Sequence, residues 1–441
     1  MPFGNTAIVI LGASGDLAQR KLIPALNLIH GRLDGEGSFV VIGSGRTAFT
    51  DTAFRRRFDI SPEFSKRLFY HRGIPGLKDF IAEKGSFDRV VFFMALPPKV
   101  YGSTAGELAA VGFGSEATLI IEKPFGSDLE SAMKLDRELS GHFNESQIFR
   151  IDHYLAKEAV QNILVFRFAN ALFYPVWNSR YIESIQINAF ETEGIGERAG
   201  YFDQAGIVRD MVQNHLMQLL CLITMEAPVS LDAEEIRAQK ISVLKAVEIH
   251  DCARWQYEGY REEKGVAPGS TTETYAMLKL SINNFRWAGM PVYIRTGKAL
   301  DRRGTEIGAR FKRLPKLLFN RDGTIPPNRA IFKIQPAEGI IIDLATKIPG
   351  AGIDIATTNM AFCYRDSFAQ EIPEAYQRLL LDAIKGDRTL FVSAEETEMS
   401  WRKLEPFLDA GEVRTYRRGK PPAPEWEVDW IDFDMYKDIC G

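Results

Sequence analysis

The sequence predicts two domains of different architecture. An α/β domain is expected over residues 1–150. An α+β domain is expected over residues 151–441, with a large, mainly antiparallel β-sheet flanked by helices. Three observations support this division. Short apolar strands alternate with helical segments in the first part, and longer strands with alternating apolar and polar residues follow after about residue 175. A length of 441 residues also exceeds that of a usual single domain.

Composition and charge narrow the class of protein. With 45% hydrophobic and 25% charged residues, the chain has the composition of a soluble globular protein with a large core. A formal net charge of -4 argues against a nucleic-acid partner, because phosphate contacts need a basic face. Neither a charged-then-apolar leader nor an apolar run of about 18 residues is present, which predicts a cytoplasmic protein without a membrane partner.

The four cysteines carry a prediction about redox state. Cys221, Cys252, Cys363 and Cys440 are widely separated and form no CxxC pair. This pattern predicts reduced thiols rather than disulfides, and it offers no zinc site. No other metal-ligand spacing is found, so no metal is expected.

The first strand leads into a glycine-rich turn. Residues 6–11 (TAIVIL) form an apolar run, followed by GASGDLA and by the helical pattern QRKLIPALNLIH. Gly12 and Gly15 permit a tight turn and close backbone approach, with Ala18 at the third position of the fingerprint. A plain tight turn is the alternative for the glycines alone, but the order strand, turn, helix predicts a Rossmann-like nucleotide site. Pro24 predicts a bend or a restart of the helix.

The second strand bears on the choice of coenzyme. Residues 38–42 (SFVVI) are followed by GSGRT, without the acid that would accept hydrogen bonds from an adenosine ribose. Arg46 stands there instead, and a guanidinium suits a 2′-phosphate. NADP is therefore favoured over NAD, and a solvated surface arginine is the alternative.

Further strands lead to polar residues at their carboxyl ends. The runs lie at residues 89–96, 118–121 and 146–151. In a parallel sheet these ends meet at the edge where ligands bind. Lys123 follows the middle run and precedes a proline that restricts its backbone, so it could reach substrate and cofactor together. An isolated lysine of this kind is more often a surface charge.

The last of these strands opens a cluster of chemically distinct side chains. Asp152, His153, Tyr154 and Lys157 combine acid, imidazole, phenol and ammonium within six residues. If the segment that follows is helical from here, His153 and Lys157 share a face that could hold an anion, while Asp152 points elsewhere. The alternative is a capped, charged helix start.

The second part of the chain predicts an antiparallel sheet. Residues 181–191 alternate apolar and polar positions, as in a strand with one covered face. Two hairpins are expected, one of them turning at Asn283 and Asn284. Their strands lie at residues 272–282 with 287–294, and at 330–334 with 339–343, and helices are predicted near residues 373–385 and 394–404.

One helix of this domain carries His215. The predicted apolar stripe consists of Ile207, Met211, His215, Leu219 and Leu222. A lone histidine on such a stripe is usually a core residue with one backbone partner. Asp210, Gln213 and Asn214 make these turns unusually polar for a core. If Asp152 meets His215, the pair has the arrangement of an oriented general base.

The motifs together resemble one family. GASGDLA, ALPP, EKPFG, RIDHYLAKE, GYFDQAGIVRDMVQNH and IRTGKAL occur in this order over nearly the whole chain, and they resemble the glucose-6-phosphate dehydrogenase family. RIDHY followed by NH about sixty residues later is a specific signature of that family. The resemblance implies oxidation of glucose 6-phosphate to 6-phosphoglucono-1,5-lactone, the first step of the oxidative pentose phosphate pathway. It also implies NADP, with NAD as the second choice, and a homodimer or dimer of dimers formed through the sheet domain.

The resemblance also implies roles for individual residues. His215 would take the proton from the anomeric hydroxyl, and Asp152 would orient it. His153, Tyr154 and Lys157 would hold the 6-phosphate. The residues implied to bind the rest of the substrate are Glu191, Asp210, Lys298, Arg303 and Lys123, and those implied to bind the coenzyme are Gly12, Ser14, Gly15, Asp16, Leu17, Arg46 and again Lys123.

Two departures from the family pattern limit what is implied. The segment between Arg46 and ALPP is abbreviated, which bears mainly on coenzyme choice. The C-terminal region beyond Trp401 is short, and no second, structural NADP site is expected there. Two alternatives stay open: a dehydrogenase of another sugar or sugar phosphate, and a catalytically idle NADP-binding sensor. The presence of His153, Tyr154 and Lys157 favours a phosphorylated substrate, and the presence of Asp152 and His215 argues against the sensor.

Overall fold

The computed structural model describes residues 4–31, 38–320, 322–368 and 373–440. Contacts within the chain define two compact units. Unit 1 comprises Met1–Lys157, Pro228–Ala238 and Ile372–Trp401, and unit 2 comprises Glu158–Ala227, Gln239–Glu371 and Arg402–Gly441. The two later segments of unit 1 thus come from the C-terminal part of the sequence. The domain boundary after residue 150 stays a prediction.

The strands, numbered along the chain, are β1 (Asn5–Leu11), β2 (Ser38–Gly45), β3 (Leu68–Arg72), β4 (Arg89–Met94), β5 (Ala117–Ile121), β6 (Ile148–Ile151), β7 (Ile182–Phe190), β8 (Val247–Tyr257), β9 (Tyr275–Ile282), β10 (Pro291–Gly297), β11 (Gly304–Phe311), β12 (Arg329–Gln335), β13 (Gly339–Lys347), β14 (Ile355–Cys363), β15 (Phe391–Val392) and β16 (Val413–Tyr416).

The α-helices are α1 (Ile23–His30), α2 (Asp51–Arg55), α3 (Pro62–Ser65), α4 (Leu77–Lys84), α5 (Tyr101–Ala110), α6 (Leu129–Ser140), α7 (Glu158–Phe168), α8 (Ala199–Ile207), α9 (Met217–Thr224), α10 (Ala233–Ala246), α11 (Tyr364–Ser367), α12 (Ala375–Lys385) and α13 (Ala394–Leu404). Two stretches, Ala18–Leu22 and Val208–Leu216, have π-helical hydrogen bonding. Short 3-10 turns lie at Pro98–Val100, Glu145–Gln147, Tyr174–Val176, Gly196–Arg198, Tyr260–Glu262, Leu318–Asn320, Glu405–Phe407 and Phe433–Tyr436.

Unit 1 is built on a seven-stranded sheet in the order β15-β6-β5-β4-β1-β2-β3. All neighbours from β6 to β3 are parallel, and only β15 runs antiparallel to β6. The strand order reverses at β1, which has β2 on one side and β4 on the other. Ligands bind outside the carboxyl ends of the strands at such a switch point. The Rossmann-like α/β class predicted from the sequence is confirmed.

The proline of the first helix is accommodated by a change of helix type. The π-helical turn Ala18–Leu22 comes first, and α1 begins at Ile23, so that Pro24 lies in its first turn. The Ile23 N–H bonds to the Ala18 carbonyl, so the proline follows a π-helical turn, which lacks the i→i−4 hydrogen bonds that a proline interrupts in an α-helix. In place of the predicted bend or restart, the hydrogen bonding changes from π-helical to α-helical at Ile23, and the helical backbone continues through Leu22 and Ile23.

Unit 2 is built on a nine-stranded sheet in the order β14-β13-β12-β11-β7-β10-β9-β8-β16. The pairs β7–β10 and β8–β16 are parallel, and the other neighbours are antiparallel. The predicted mainly antiparallel sheet and both hairpins are confirmed. The turn of the first hairpin is longer than predicted, because Asn284 accepts a hydrogen bond from the Trp287 backbone and β10 begins only at Pro291.

The C-terminal segment covers one side of this sheet. Lys333 of β12 is buried, and its Nζ donates to the carbonyl oxygens of Tyr436 at 2.9 Å and Lys437 at 3.2 Å. Gln186 of β7 accepts from the backbone N–H of Ile431 at 2.8 Å. Polar side chains of the sheet thereby satisfy backbone groups of a segment that has little regular structure of its own.

The same segment carries a disulfide that the sequence did not predict. Cys363 at the end of β14 is bonded to Cys440, and the two positions are 77 apart in sequence. The expectation of reduced thiols is wrong for this pair. Wide spacing in sequence carries no information about distance in the fold, where the C-terminal segment returns to the end of β14. Cys221 and Cys252 are not disulfide-bonded.

Among the helices of the described ranges, none has both the length and the apolar character needed to cross a lipid bilayer.

Candidate active site

The predicted coenzyme residues of unit 1 form one turn at the end of β1. The N–H groups of Gly12 and Ala13 donate to the Ser44 carbonyl at 2.8 and 3.0 Å, and Gly15 donates to Gly12 at 2.9 Å. Gly12 has a φ of 88°, and a Cβ atom there would lie 2.2 Å from the Ala95 carbonyl oxygen. Only glycine fits this position, both because of its backbone conformation and because of the close approach. Ser14 completes the turn, and Asp16 and Leu17 begin the helical segment after it.

Two further arginines contact this region. The guanidinium of Arg57 donates to the Ser14 carbonyl at 3.2 Å. The Nε of Arg72 donates to the carbonyl of Arg46 at 3.2 Å, and Arg46 itself is exposed after β2. The sequence analysis missed Arg57 and Arg72. The only available signal was the run Arg55 to Arg57, because the second arginine comes from a strand, β3, that was not predicted.

Adjacent strands bring Lys123 and Asp152 to the same sheet edge. β5 and β6 are parallel neighbours, with Ile121 opposite Arg150, and Lys123 and Asp152 follow directly after them. Asp152 is buried, and its Oδ1 accepts a hydrogen bond from the Tyr154 N–H at 2.9 Å. This short-range bond fixes the carboxylate at the start of a turn.

Glu122 is a charged group of this edge that the sequence analysis missed. Burial raises the pKa of the Glu122 carboxyl to about 7, and the nearby Asp152 charge acts in the same direction. A hydrogen bond of 2.9 Å from the Tyr376 hydroxyl and the charge of Lys123 oppose this shift. A carboxyl with a pKa this high at the carboxyl edge of a parallel sheet is typical of a functional site. Its place between a strand and a Lys-Pro pair was the signal that could have found it.

The predicted phosphate residues lie in a turn, not on a helix. α7 begins only at Glu158, and the Lys157 N–H bonds to the Tyr154 carbonyl at 3.1 Å. The expectation that His153 and Lys157 share a helical face is therefore wrong. The three side chains nevertheless group around Tyr154. Its ring centre lies 5.7 Å from the Lys157 Nζ and 5.1 Å from the ring centre of His153.

Three of the predicted sugar residues line one cavity of unit 2. Glu191, Lys298 and Arg303 contribute to a cavity of about 290 Å³. They meet there because β7 is the neighbour of both β10 and β11. Lys298 is 3% exposed, and its Nζ forms an ion pair with Glu191. A buried ammonium beside a carboxylate, facing a polar cavity, is suited to bind hydroxyl groups.

The cavity has two polar lining residues that the sequence analysis missed. Arg198 and Gln335 both contribute to its wall. Arg198 pairs with Oδ1 of the buried Asp210 at 3.0 Å, so Asp210 is connected to the cavity through its partner. Gln335 ends β12 just before a proline, the same context that singled out Lys123. That context was the available signal.

His215 lies in a helical stretch, residues 208–216, in which every residue except Arg209 and Asn214 is buried. Val208–Leu216 is π-helical and continues into α9. His215 and Asp210 are each 1% exposed. The predicted stripe assumed a repeat of 3.6 residues, and that assumption is wrong for the π-helical part, whose hydrogen bonds span five residues. All stripe residues are buried, but so are most of the polar residues between them. Interruptions of this kind are frequent at functional sites.

The two units define a class of protein. Dinucleotide-dependent oxidoreductases combine a glycine turn at the switch point of a parallel sheet with a separate domain for the substrate, and this chain is of that class.

Comparison with known proteins identifies the family. The family model for the glucose-6-phosphate dehydrogenase NAD binding domain matches residues 9–162, and the model for the glucose-6-phosphate dehydrogenase C-terminal domain matches residues 164–429. The chain belongs to the glucose-6-phosphate dehydrogenase family.

Individual relatives are similar over almost their whole length. Glucose-6-phosphate 1-dehydrogenase from Aggregatibacter actinomycetemcomitans is 39% identical over 464 aligned residues, with 94% of this chain and 93% of the relative covered. The enzyme of that name from Chlamydia pneumoniae is 40% identical, with 91% and 88% covered. A solved structure of glucose-6-phosphate dehydrogenase in complex with its substrate glucose-6-phosphate superimposes with a TM-score of 0.88 at 35% identity, covering 96% of both chains. A glucose-6-phosphate 1-dehydrogenase structure from Mycobacterium avium gives a TM-score of 0.84 at 32% identity, with 94% and 95% covered.

The pKa of Glu122 predicts how stability depends on pH. The unfolded carboxyl loses its proton near 4.5 and the folded one near 7, so the folded state holds more protons between these values. The free energy of unfolding then falls as pH rises through this window, by at most roughly 3 kcal/mol. We expect Glu122→Gln to flatten this fall, measured by urea unfolding at about pH 5 and about pH 8. Glu107→Gln, at an exposed position of α5, is the control and should keep the wild-type fall. An equal fall in Glu122→Gln and wild type would contradict the assignment.

Proposed function

We propose that this protein oxidises glucose 6-phosphate at C1 and transfers the hydride to NADP, giving 6-phosphoglucono-1,5-lactone. This reaction is the first step of the oxidative pentose phosphate pathway. The observation that carries the proposal is the match of both family domains over residues 9–429. The cavity around Lys298 and Glu191 supports it, because its charged and polar lining suits a sugar.

The proposed chemistry divides between coenzyme and protein. NADP, when bound, supplies the hydride acceptor. The residues proposed to hold it are Gly12, Ser14, Gly15, Asp16, Leu17, Arg46 and Lys123. The close backbone approach at Gly12 fits a pyrophosphate, because a side chain there would fill the turn. Arg46, with no acid after β2, supports NADP over NAD.

His215 is proposed as the base that takes the proton from the anomeric hydroxyl. It is buried, and a buried imidazole gains a proton only if a neighbouring group stabilises the resulting cation. Asp152 is proposed as that group, and its own bond to the Tyr154 N–H would hold the carboxylate in a fixed orientation. Substrate oxidation then needs no further acid, since hydride loss from C1 leaves a neutral lactone.

Substrate binding is proposed to involve two groups of residues. His153, Tyr154 and Lys157 provide donors and positive charge for a dianionic phosphate. The sugar hydroxyls are assigned to Glu191, Asp210, Lys298, Arg303 and Lys123. The ion pair of Lys298 with Glu191 supports this assignment, because it offers a donor and an acceptor side by side.

A homodimer or dimer of dimers is part of the proposal. β14 is an edge strand, and Met360 on it is 65% exposed, next to an apolar cavity of about 650 Å³. Exposed apolar surface of this kind is typical of protein interfaces.

Sedimentation velocity should give at least twice the chain mass of 49.7 kDa. Met360→Asp should shift the equilibrium towards monomer, and a wild-type protein that sediments as a monomer at all concentrations would contradict the assembly.

The cytoplasm is the proposed location. Glucose 6-phosphate and NADP are both multiply charged and do not cross membranes unaided, so an enzyme that uses them works where they are made.

The direct test is the absorbance of reduced coenzyme after mixing the protein with glucose 6-phosphate and NADP. We expect turnover, a lower kcat/KM with NAD, and little activity on free glucose.

His215→Asn should lower kcat by about a hundredfold or more while KM changes little, because it removes only the base. His250→Asn, at an exposed position of β8, is the matched control. A wild-type protein without activity would overturn the proposed function, and an active His215→Asn variant would overturn the base assignment.

A second variant tests the phosphate site. We expect Lys157→Ala to raise the KM for glucose 6-phosphate by about tenfold or more, because one charge-assisted contact to the phosphate is lost. Lys134→Ala, an exposed lysine of α6 in the same unit, should leave KM unchanged. Equal KM values for Lys157→Ala and wild type would remove Lys157 from the site.

A further inference from the structure

Two buried residues just before β9 contact both of the catalytically important segments of unit 2. Glu273 is 4% exposed and Thr274 is fully buried. Neither residue lines the cavity that holds Lys298 and Glu191. Glu273 instead contacts the backbone of Ile207 and Val208, just before Asp210, and Thr274 contacts the backbone of Lys298.

Glu273 holds the beginning of the stretch that contains Asp210 and His215. Its Oε1 accepts a hydrogen bond from the Val208 N–H at 3.1 Å, and its carbonyl accepts one from the Ile207 N–H at 3.0 Å. N–H groups at the start of a helical stretch have no partner within it. Glu273 satisfies two of them from a different part of the chain.

A glycine makes this contact sterically possible. Gly206 has a φ of +71°, and a Cβ atom there would lie 2.3 Å from Oε1 of Glu273. Gly206 also ends the preceding helical geometry, since its backbone angles interrupt α8. The carboxyl group therefore inserts at the point where α8 ends and the π-helical stretch begins. Glu273 therefore fixes the residue at which the π-helical stretch begins, and with it the positions of Asp210 and His215 further along that stretch.

Thr274 holds the peptide of Lys298. The Thr274 carbonyl accepts from the Lys298 N–H at 3.0 Å. Its Oγ1 accepts from the Tyr257 N–H at 2.9 Å and donates to the Tyr416 hydroxyl at 3.1 Å. That hydroxyl in turn donates to the Lys298 carbonyl at 2.5 Å. Both peptide groups of Lys298 are thus tied, directly or through one tyrosine, to Thr274.

We propose that Glu273 and Thr274 are positioning residues that set the placement of His215 relative to Lys298. The inference rests on the proposed function and deepens it. Glu273 holds the stretch that carries the proposed base, His215, and Thr274 holds Lys298. Because Glu273 and Thr274 are adjacent in sequence, one peptide bond connects these two contacts. Catalysis by proximity is sensitive to such placement, and a shift of about 1 Å can cost about a hundredfold in rate.

To position the stretch that carries His215, Glu273 needs its hydrogen-bond acceptor more than its negative charge. Burial raises the pKa of the Glu273 carboxyl, whereas its hydrogen bonds and the charges of Arg254 and Arg209 oppose the shift. A carboxyl oxygen accepts from Val208 in either protonation state. A glutamine side chain has the same length and offers an equivalent oxygen. Glutamine should therefore replace glutamate with much of the function retained, and alanine should not.

The kinetic test compares Glu273→Ala with Glu273→Gln. We expect the alanine variant to lose kcat by about 10- to 100-fold with a much smaller change in KM, and glutamine to recover most of the loss. Thr274→Val should instead raise the KM for glucose 6-phosphate more than it lowers kcat, because it removes the hydroxyl that holds Tyr416 against the Lys298 carbonyl. A folded Glu273→Ala variant with wild-type kcat would overturn the proposal.

A matched control separates positioning from stability. Glu396 is fully buried at the start of α13 and accepts from the Ser393 N–H at 2.7 Å and its hydroxyl at 2.8 Å. It supports a helix start that carries no proposed site residue. Glu396→Ala should lower Tm without lowering kcat. An equal loss of kcat in both alanine variants would show that general destabilisation explains the effect.

A spectroscopic readout makes the test independent of activity. The chain has six histidines, so 13C labelling of histidine Cε1 gives few signals, and His215→Asn identifies that of His215. Glu273→Ala should shift this signal, and Glu273→Gln should leave it near its wild-type place. If the alanine variant does not fold, Glu273→Asp, too short to reach Val208, should give the same shift. An unshifted His215 signal in these variants overturns the positioning role, whether or not the protein is active. A wild-type protein without dehydrogenase activity overturns the proposed function alone.

Discussion

The burial of one helical stretch in unit 2 constrains much of the surrounding structure. Residues 207–225 lie inside the unit, where an unpartnered polar group is costly. Arg167 donates to the carbonyls of Leu222 and Met225 at 2.7 and 2.6 Å. The indoles of Trp177 and Trp287 donate to the carbonyls of Ile223 and Thr224 at 2.9 and 2.7 Å. At most helix ends, water satisfies the backbone N–H and C=O groups that have no partner within the helix. Here side chains satisfy them: Arg167, Trp177 and Trp287 at the C-terminal end, and Glu273 at the N-terminal end.

This arrangement explains how a polar histidine can be held rigidly in a hydrophobic interior. Because both ends of the stretch are fixed by side chains, it cannot slide along its axis without breaking several buried hydrogen bonds. The π-helical turns between those ends place Asp210 against Arg198 at the cavity wall. Unit 1 uses a different constraint, close backbone approach at Gly12, to shape its nucleotide turn. In both units the candidate functional side chains depend on backbone geometry that is set by more distant residues.

The residue types of the candidate site could largely be named from the sequence, and their geometry could not. The glycine turn, Lys123 and Asp152 were found from their places at strand ends, because a parallel sheet always brings those ends to one edge. Glu122 was missed because its raised pKa comes from burial, which is set by the fold and not by the residues next to it in sequence. Arg198 and Gln335 were missed because only the fold brings them to the wall of the same cavity. His153, Tyr154 and Lys157 lie close together, but in a turn before α7 and not on one helical face, and their phosphate-binding role stays a proposal.

The sequence by itself determined the two fold classes, several of the strands, both hairpins, and the family. These features follow from local periodicity and from contiguous motifs, which act over a few residues. The tertiary structure alone decided the Cys363–Cys440 disulfide, the burial of the polar face of the His215 stretch, and the contacts of Glu273 and Thr274. These features depend on which segments meet in space. A pattern of hydrophobic residues predicts that one face of a helix or strand is buried, but it does not identify the residues that pack against that face.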